Sequence, residues 1–414
     1  MIGISKLYCG TAEPSDVLRY GRQSGKLPSR LLQFSEDKKP VVVWNMTKAC
    51  NLTCAHCYAS AAGGPAQDEL NLAEAEKLVD HLAEYGAPVI LFSGGEPLLH
   101  PHLTHLVRRA VSRGCRAVVS TNGMLLSEER SKRLFDAGAA YIGISLDGLS
   151  GTHDRFRRCE GAFVTVMNSI ETARKTGLKV GLRLTMTRAN LAELPDIFCL
   201  LEKENLPRIC FYHLVNAGRG QDLEAMVPDH DETRRALDLI ISETKRLHDQ
   251  GLKIEALTVD NHADGPYLYL KMKAEGRRIE AEKVMSLLKL NGGNNSGKAI
   301  AAISWNGDVH PDQFWRTKKL GSIRNRDFAE IWHDKTNKFL MALKNKKDYV
   351  EGRCRSCAFL DVCGGGLRAR AEEAGSLWGP DPACYLSDAE IGLEIGQIAP
   401  DKGALNGPVY VGQD

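Results

Sequence analysis

From residue 41 to about residue 251, short apolar runs rich in β-branched residues alternate with amphipathic stretches. VVVWNM at 41–46 is brief and bounded by polar residues, which predicts a buried strand. Behind it Leu72, Leu78, Val79 and Leu82 recur at helical spacing, and Gly86 ends that helix. The alternation continues with strands at 89–92, 116–120, 141–146, 179–186 and 209–215. Helices follow each of them, near 103–113, 127–137, 163–175, 194–202 and 232–248. Six βα units with short connections predict a parallel sheet covered by helices. Right-handed crossovers curl such a sheet towards an incomplete barrel.

The pattern divides the chain into four parts. Residues 1–37 read as an N-terminal arm, and LRYGRQSGKLPSRLLQFSEDKKP suggests an extended segment wrapped on the barrel. Residues 38–252 form the barrel. Residues 253–298 read as a helical connection through KAEGRRIEAEKV, closing on the Gly/Asn-rich LNGGNNSGK. Residues 299–414 form a C-terminal domain.

Bulk composition narrows the class. In 414 residues, 54 Lys and Arg nearly balance 52 Asp and Glu, so no basic excess marks a general nucleic-acid binder. No apolar run is long enough to span a bilayer, and MIGISKLYCGTAEPSD lacks a charged-then-apolar secretory pattern. The expectation is a cytoplasmic protein. Twelve cysteines in a reducing compartment point to metal sites rather than disulfides. Seven fall into two motifs. Cys115, Cys199 and Cys210 lie in apolar segments and read as packed core thiols, while Cys9 and Cys159 carry no assignment.

Cys50, Cys54 and Cys57 stand as C-x3-C-x2-C inside WNMTKACNLTCAHCYAS. Three thiolates on an iron–sulfur cube leave one iron open to a further ligand. A zinc knuckle would need His56 as its fourth ligand, and a position between two of the cysteines suits that poorly. The other chemistry-bearing segments all follow strands, where parallel barrels gather their sites. These are SGGEP at 93–97, STNG at 120–123, SLDG at 145–148 and HLVNAGRG at 213–220, with Arg183 and Thr185 inside the fifth strand. Gly94 and Gly95 allow close backbone approach to a ligand, and Glu96 adds a carboxylate. Ser145 and Asp147 suit ribose hydroxyls or an amino-acid end, and Arg183 offers a fork for a carboxylate. Near the C-terminus, Cys354, Cys357, Cys363 and Cys384 supply four thiolates, enough for a closed cube or a tetrahedral zinc site. Gly364, Gly365 and Gly366 permit tight wrapping around a bulky group.

The triplet and the segments after it resemble the radical S-adenosylmethionine superfamily over most of residues 40–220. The resemblance implies an α/β fold, a partial (β/α)6 barrel with a SPASM/twitch-like auxiliary iron–sulfur domain. It implies S-adenosylmethionine on the open iron of a [4Fe–4S] cluster held by Cys50, Cys54 and Cys57, and cleavage to a 5′-deoxyadenosyl radical. His56 occupies the slot that lies against adenine. Gly94, Gly95, Glu96, Asn122, Ser145, Asp147, Arg183 and Leu214 are the further cofactor-binding candidates. The second cysteine set and NGDVHPDQFW resemble the auxiliary-cluster domains, with one departure. Asp312 and Gln313 stand where a further cysteine is common, which leaves two [4Fe–4S] clusters in all, one of them auxiliary.

MIGISKLYCG, TVDNHADGPYLYLK, YHLVNAGRG, GDVHPDQFW and DPACYL look like the tetrapyrrole branch of the superfamily, which includes didecarboxysiroheme deacetylases and haem d1 biosynthesis enzymes. This implies an iron-bearing, carboxylate-rich substrate and an electron donor such as a flavodoxin or ferredoxin. Arg219, Arg316, Lys318 and Lys319 are candidates for its carboxylates. Phe314, Trp315, Tyr267 and Tyr269 are candidate walls, and His262 or His310 could approach its iron. A peptide-modifying maturase and a non-catalytic metal or electron-transfer protein remain alternatives. No general acid or base is assigned.

Overall fold

The computed structural model describes residues 1–13, 15–20 and 38–393. Most of the basic stretch expected as an extended arm, residues 21–37, lies outside them, as do residues 394–414. What is described of the N-terminus is regular. Strand β1 (Ile2–Gly3) leads into the helices Ile4–Cys9 and Asp16–Tyr20.

The six expected strands are β2 (Val41–Asn45), β3 (Val89–Ser93), β4 (Arg116–Thr121), β5 (Tyr141–Ser145), β6 (Val180–Met186) and β7 (Arg208–His213). They pair in parallel in chain order, with Trp44 opposite Phe92 and Arg183 opposite both Ser145 and Cys210. The sheet then extends at both ends. β8 (Glu255–Val259) joins β7 in parallel, and β9 (Ile300–Ile303), from the C-terminal part, joins β2 in parallel. β1 pairs antiparallel with β8, while β10 (Asp308–His310) and β11 (Gly321–Ser322) continue antiparallel beyond β9.

β8 corrects the helical reading of 253–298, whose helices start only at Asp264–Ala274 and Arg278–Asn291. Its sequence EALTV opens on a charge, which hid the strand. Glu255 is buried because Arg208 meets it at 2.6 Å and Arg19 at 3.4 Å.

The covering helices begin where their sequences cap them. Asn71 and Glu74 form a capping box on Leu72–Tyr85, and Asp229 and Glu232 form one on His230–Asp249. Strand alternation sends Val42, Ile90 and Val119 to the helix layer and Val43, Leu91 and Val118 into the barrel bore. Phe198 on a helix stacks on Phe211 of β7 at 5.6 Å, and each fully buried ring contributes about 1.5–3 kcal/mol. Cys115 and Cys210 are buried as expected of core thiols. Cys199 is exposed instead. On Leu194–Lys203 the buried positions are Leu194, Ile197, Phe198 and Leu201, and Cys199 falls on the opposite face. No helix among the described residues is long and apolar enough to cross a membrane.

Candidate active site

The ends of β2 to β7 enclose a cavity of about 180 Å³, and Cys50, Cys54 and Cys57 all line it. Around the thiols stand His56, Gly94, Gly95, Asn122, Ser145, Asp147, Arg183 and Leu214, so eight of the nine cofactor-binding candidates meet in one place. Glu96 does not. Its carboxylate is fully buried and accepts from Thr121 Oγ1 at 2.7 Å and from the backbone N–H groups of Asn122 (2.8 Å) and Leu98 (3.0 Å). Burial pushes this carboxyl up against those three donors. Glu96 therefore ties the end of β4 to the segment after β3.

The paired glycines line the cavity and also make a close approach within the protein. A Cβ on Gly95 would stand 2.1 Å from the Ala49 carbonyl oxygen, and one on Gly94, at φ +140°, 2.6 Å from that of Thr47. What comes close is the cysteine loop itself. Gly95 N–H donates to Thr47 O and Glu96 N–H to Ala49 O, both at 2.7 Å. The glycines let the two loops lock together and hold Cys50 in place.

Behind the thiols is a charged network that the sequence reading missed. Arg157, at the end of the helix Ser150–Arg157, is buried. One terminal nitrogen donates to Cys54 Sγ at 3.5 Å, and the other meets Asp147 Oδ2 at 2.5 Å. Asp147 accepts Thr185 N–H at 2.8 Å on its other oxygen, and His56 Nε2 is 3.3 Å from Oδ2. Burial pushes the Asp147 carboxyl up, but Arg157, His56 and His153 outweigh it and hold it below its ordinary value. Burial drives His56 down to about 4. Asp147 is thus engaged by Arg157, His56 and the end of β6 while it lines the cavity. Asn122 donates to Asn51 Oδ1 at 2.8 Å and its amide nitrogen reaches to 4.0 Å from Cys50 Sγ. A buried arginine against one thiol, amides near another and three thiols facing one chamber fit an anionic thiolate cluster.

The cations nominated for substrate carboxylates are already engaged. Arg219 donates to Cys54 O (2.8 Å) and Ala61 O (3.1 Å), and Arg316 donates to Ala59 O, so both clamp the cysteine loop. Lys318 pairs with Glu372 and Lys319 with Asp308, each at 2.8 Å. Among the nominated aromatics, Phe314 lines the cavity. Trp315 is core, with its indole N–H on Glu372 at 2.6 Å. Tyr267 and Tyr269 bond Asp238 and Glu282 from the helix Asp264–Ala274. His310 is held between Ser304 Oγ and Lys318 O.

Cys354, Cys357, Cys363 and Cys384 line a second, small cavity. Gly364, Gly365 and Gly366 have φ of +69°, +82° and +77°, a left-handed run that only glycine adopts freely. A Cβ on Gly366 would stand 2.5 Å from Asp381, whose carboxylate binds Leu367 N–H at 2.7 Å and Arg370 at 2.9 Å. Burial pushes all four thiols up. Among the described residues no three His, Cys, Asp or Glu side chains are placed to hold a single ion. The four thiols surround one chamber. Asp312, at the departure from the auxiliary-domain pattern, is buried and accepts from Ser296 Oγ and the N–H groups of Phe314 and Trp315.

A larger cleft of about 880 Å³ adjoins the first cavity through His213 and Leu214. Its walls carry Glu224, Asp229, Asp231 and Glu373. Its two arginines are paired, Arg188 with Asp229 and Glu232, and Arg370 with Asp381.

A barrel mouth with three thiols on one loop, joined to a four-thiol domain, defines a radical enzyme with iron–sulfur clusters. Residues 44–201 match the Radical SAM superfamily, and residues 295–358 match SPASM, an iron-sulfur cluster-binding domain. The fold is that of Streptococcus suis SuiB bound to precursor peptide SuiA, with TM-score 0.67 and 15% identity over 84% of this chain and 76% of that one. It is also that of anSMEcpe with bound AdoMet and Cp18Cys peptide, with TM-score 0.63 and 18% identity over 84% and 94% of the two chains. The chain belongs to the radical S-adenosylmethionine superfamily. Within it, the chain is 52% identical over 396 residues to Fe-coproporphyrin III synthase of Methanosarcina barkeri, covering 95% of this chain and 99% of that protein. It is 37% identical over 356 residues to pre-heme d1 synthase of Dinoroseobacter shibae, covering 86% and 88%.

Proposed function

We propose that the protein removes two acetate side chains from 12,18-didecarboxysiroheme and leaves methyl groups, giving Fe-coproporphyrin III. The observation that carries this reading is 52% identity with an Fe-coproporphyrin III synthase across 99% of that protein's length. Two [4Fe–4S] clusters are part of the proposal. Cys50, Cys54 and Cys57 hold the one that binds S-adenosylmethionine, and Cys354, Cys357, Cys363 and Cys384 hold the auxiliary one. When bound and reduced, the first supplies the electron that cleaves S-adenosylmethionine to a 5′-deoxyadenosyl radical.

The protein's own part is to position and to shield. The Gly94–Gly95 lock and the Arg219 clamp fix the cysteine loop. Arg157 places a positive charge against Cys54, which would favour the more negative, reduced state of a cluster held by these thiolates. His56, Asn122, Ser145, Arg183 and Leu214 face the same chamber, where an adenosine and an amino-acid end can be oriented. A cytoplasmic location and a flavodoxin or ferredoxin donor complete the proposal.

The test is anaerobic incubation with reductant, S-adenosylmethionine and didecarboxysiroheme. Loss of both acetates supports the reading. Deoxyadenosine without that product refutes it and favours the second reading, a haem d1 enzyme, which 37% identity to pre-heme d1 synthase keeps open.

A further inference from the structure

Below the S-adenosylmethionine chamber, the barrel bore holds a second cavity of about 210 Å³. The two share Arg183, Tyr212, Asp260, Gln313 and Phe314 as a common wall, so a ligand in one reaches the other. The bore contains features that packing leaves unsatisfied. His262 is 8% exposed and its Nδ1 has no hydrogen-bond partner. Leaving a buried polar nitrogen unpaired is unfavourable, and a ligand would remove that penalty. Arg116 and Arg183 also line the bore, and neither guanidinium has a carboxylate partner among the described residues. Arg183 lies only over the Tyr212 ring, at 4.7 Å. The other two arginines of the bore, Arg208 and Arg19, are paired with Glu255 at 2.6 Å and 3.4 Å.

The segment that carries His262 is itself unusual. Asp260, directly after β8, has φ +71°, a left-handed value that costs a non-glycine residue energy. Arg370 holds that turn through the Asp260 carbonyl, and Asn261 Nδ2 donates to Ala383 O at 2.9 Å, next to Cys384. Asn261 and Ala263 line the auxiliary-cluster cavity while His262 faces the bore. One strained turn therefore presents an imidazole to the bore with its neighbours against the second thiol set.

We propose that the bore is the tetrapyrrole site, with His262 as the axial ligand of the substrate iron and with Arg183 and Arg116 receiving substrate carboxylates. This rests on the tetrapyrrole reading above. Charge balance separates the bore from the outer cleft: the bore sets four arginines and Lys38 against two carboxylates, Asp260 and Asp312, whereas the larger cleft sets four acids against two paired arginines. A flat polycarboxylate with a central iron needs free cations and a neutral nitrogen, and the bore offers both. Burial, with the chain's amino terminus, Lys346, Arg370 and Arg368 nearby, keeps His262 far below its ordinary pKa and hence neutral.

The test is a titration of cluster-loaded protein with ferric coproporphyrin III, followed by the Soret band and by EPR. The wild-type protein should give a histidine-ligated spectrum. His262→Ala should lose it and regain it with added imidazole, and His262→Cys should shift it to a thiolate-ligated form. Arg116→Ala and Arg183→Ala should weaken binding on the order of tenfold without changing the ligation signature. An unchanged spectrum in His262→Ala overturns the assignment, as does its loss in His213→Ala with His262→Ala intact. A wild-type protein that neither binds the probe nor converts didecarboxysiroheme overturns the tetrapyrrole reading instead.

Discussion

Replacing Gly95 by alanine tests whether the two loops at the barrel mouth lock as described. The new methyl would stand 2.1 Å from Ala49 O, 2.7 Å from Ala49 C and 2.9 Å from Lys48 O. These are backbone atoms, so no flexible side chain can swing away. Relief requires the loops to part by about 1 Å or more, given ordinary contacts of about 3.5 Å. That strains or breaks the bonds from Gly95 N–H to Thr47 O and from Glu96 N–H to Ala49 O, each 2.7 Å long. Overpacking costs about 1–3 kcal/mol, and two weakened buried bonds raise the local penalty to on the order of 3–5 kcal/mol. Global stabilities are about 5–15 kcal/mol, so the fold survives while the loop carrying Cys50 opens.

The assay is iron and sulfide content after anaerobic reconstitution, with circular dichroism to confirm folding. The wild-type protein should carry about eight irons, and Gly95→Ala about four, all on the auxiliary set. The triple variant Cys50→Ala/Cys54→Ala/Cys57→Ala calibrates the lower value. Gly64→Ala is the neutral control, since a methyl there meets nothing within 4 Å. A folded Gly95→Ala protein with the full iron complement and an unchanged EPR response to S-adenosylmethionine would refute the reasoning.

Other outcomes follow from the same geometry. Cys54→Ala should abolish deoxyadenosine formation, whereas Cys357→Ala should spare that cleavage and lower tetrapyrrole product; identical behaviour would remove the division of labour between the sets. Arg157→Gln withdraws a donor 3.5 Å from Cys54 Sγ, so the midpoint potential of the first cluster should fall and deoxyadenosine formation should slow on the order of tenfold. An EPR-monitored redox titration with no shift would count against that role. The Arg234 guanidinium holds the Glu390 carboxyl down at about 2, which pins the C-terminal segment to the helix His230–Asp249. A depressed carboxylate stabilises the fold above its unfolded pKa of about 4.3 and loses that contribution as pH falls towards its folded value. Glu390→Gln should therefore cost on the order of 1–2 kcal/mol in urea unfolding, allowing for solvent screening. The cost should stay constant from pH 8 to 5 and shrink only below about pH 4.5. A loss that grew with acidification would be the wrong sign.

The thiol sets and the strand-end segments were legible because their chemistry lies in residue type and spacing, and parallel barrels bring strand ends together. What escaped depended on partners distant in sequence. β8 begins with Glu255, and Arg208, Arg19 and Ser15, all distant in sequence, explain how a glutamate enters a sheet. Arg157 looks like one of several surface arginines in RFRRCE until the fold sets it between Asp147 and Cys54. The GGEP glycines were recognisable as a close approach, but what they approach is a backbone some 45 residues earlier in the chain. Cys199 was misplaced for a simpler reason. Its segment is apolar on average, while helical periodicity had already placed it opposite Ile197, Phe198 and Leu201.

Ion pairing separates the cations that build the site from those left for a ligand. The arginines nearest the cysteine loop, Arg219, Arg316 and Arg157, are committed to carbonyls, a thiol and a carboxylate. Removing any of them would disturb cluster assembly before it disturbed substrate. Arg183 and Arg116 are different, because the fold brings them into the bore with no carboxylate paired to either among the described residues. A partly buried guanidinium without a paired carboxylate is costly to stability, so a bound anion should raise thermal stability through these two residues. Loop clamping and substrate charge recognition thus fall on different arginines, and because Arg183 also faces the cofactor chamber, Arg116 is the variant that reports on the bore alone.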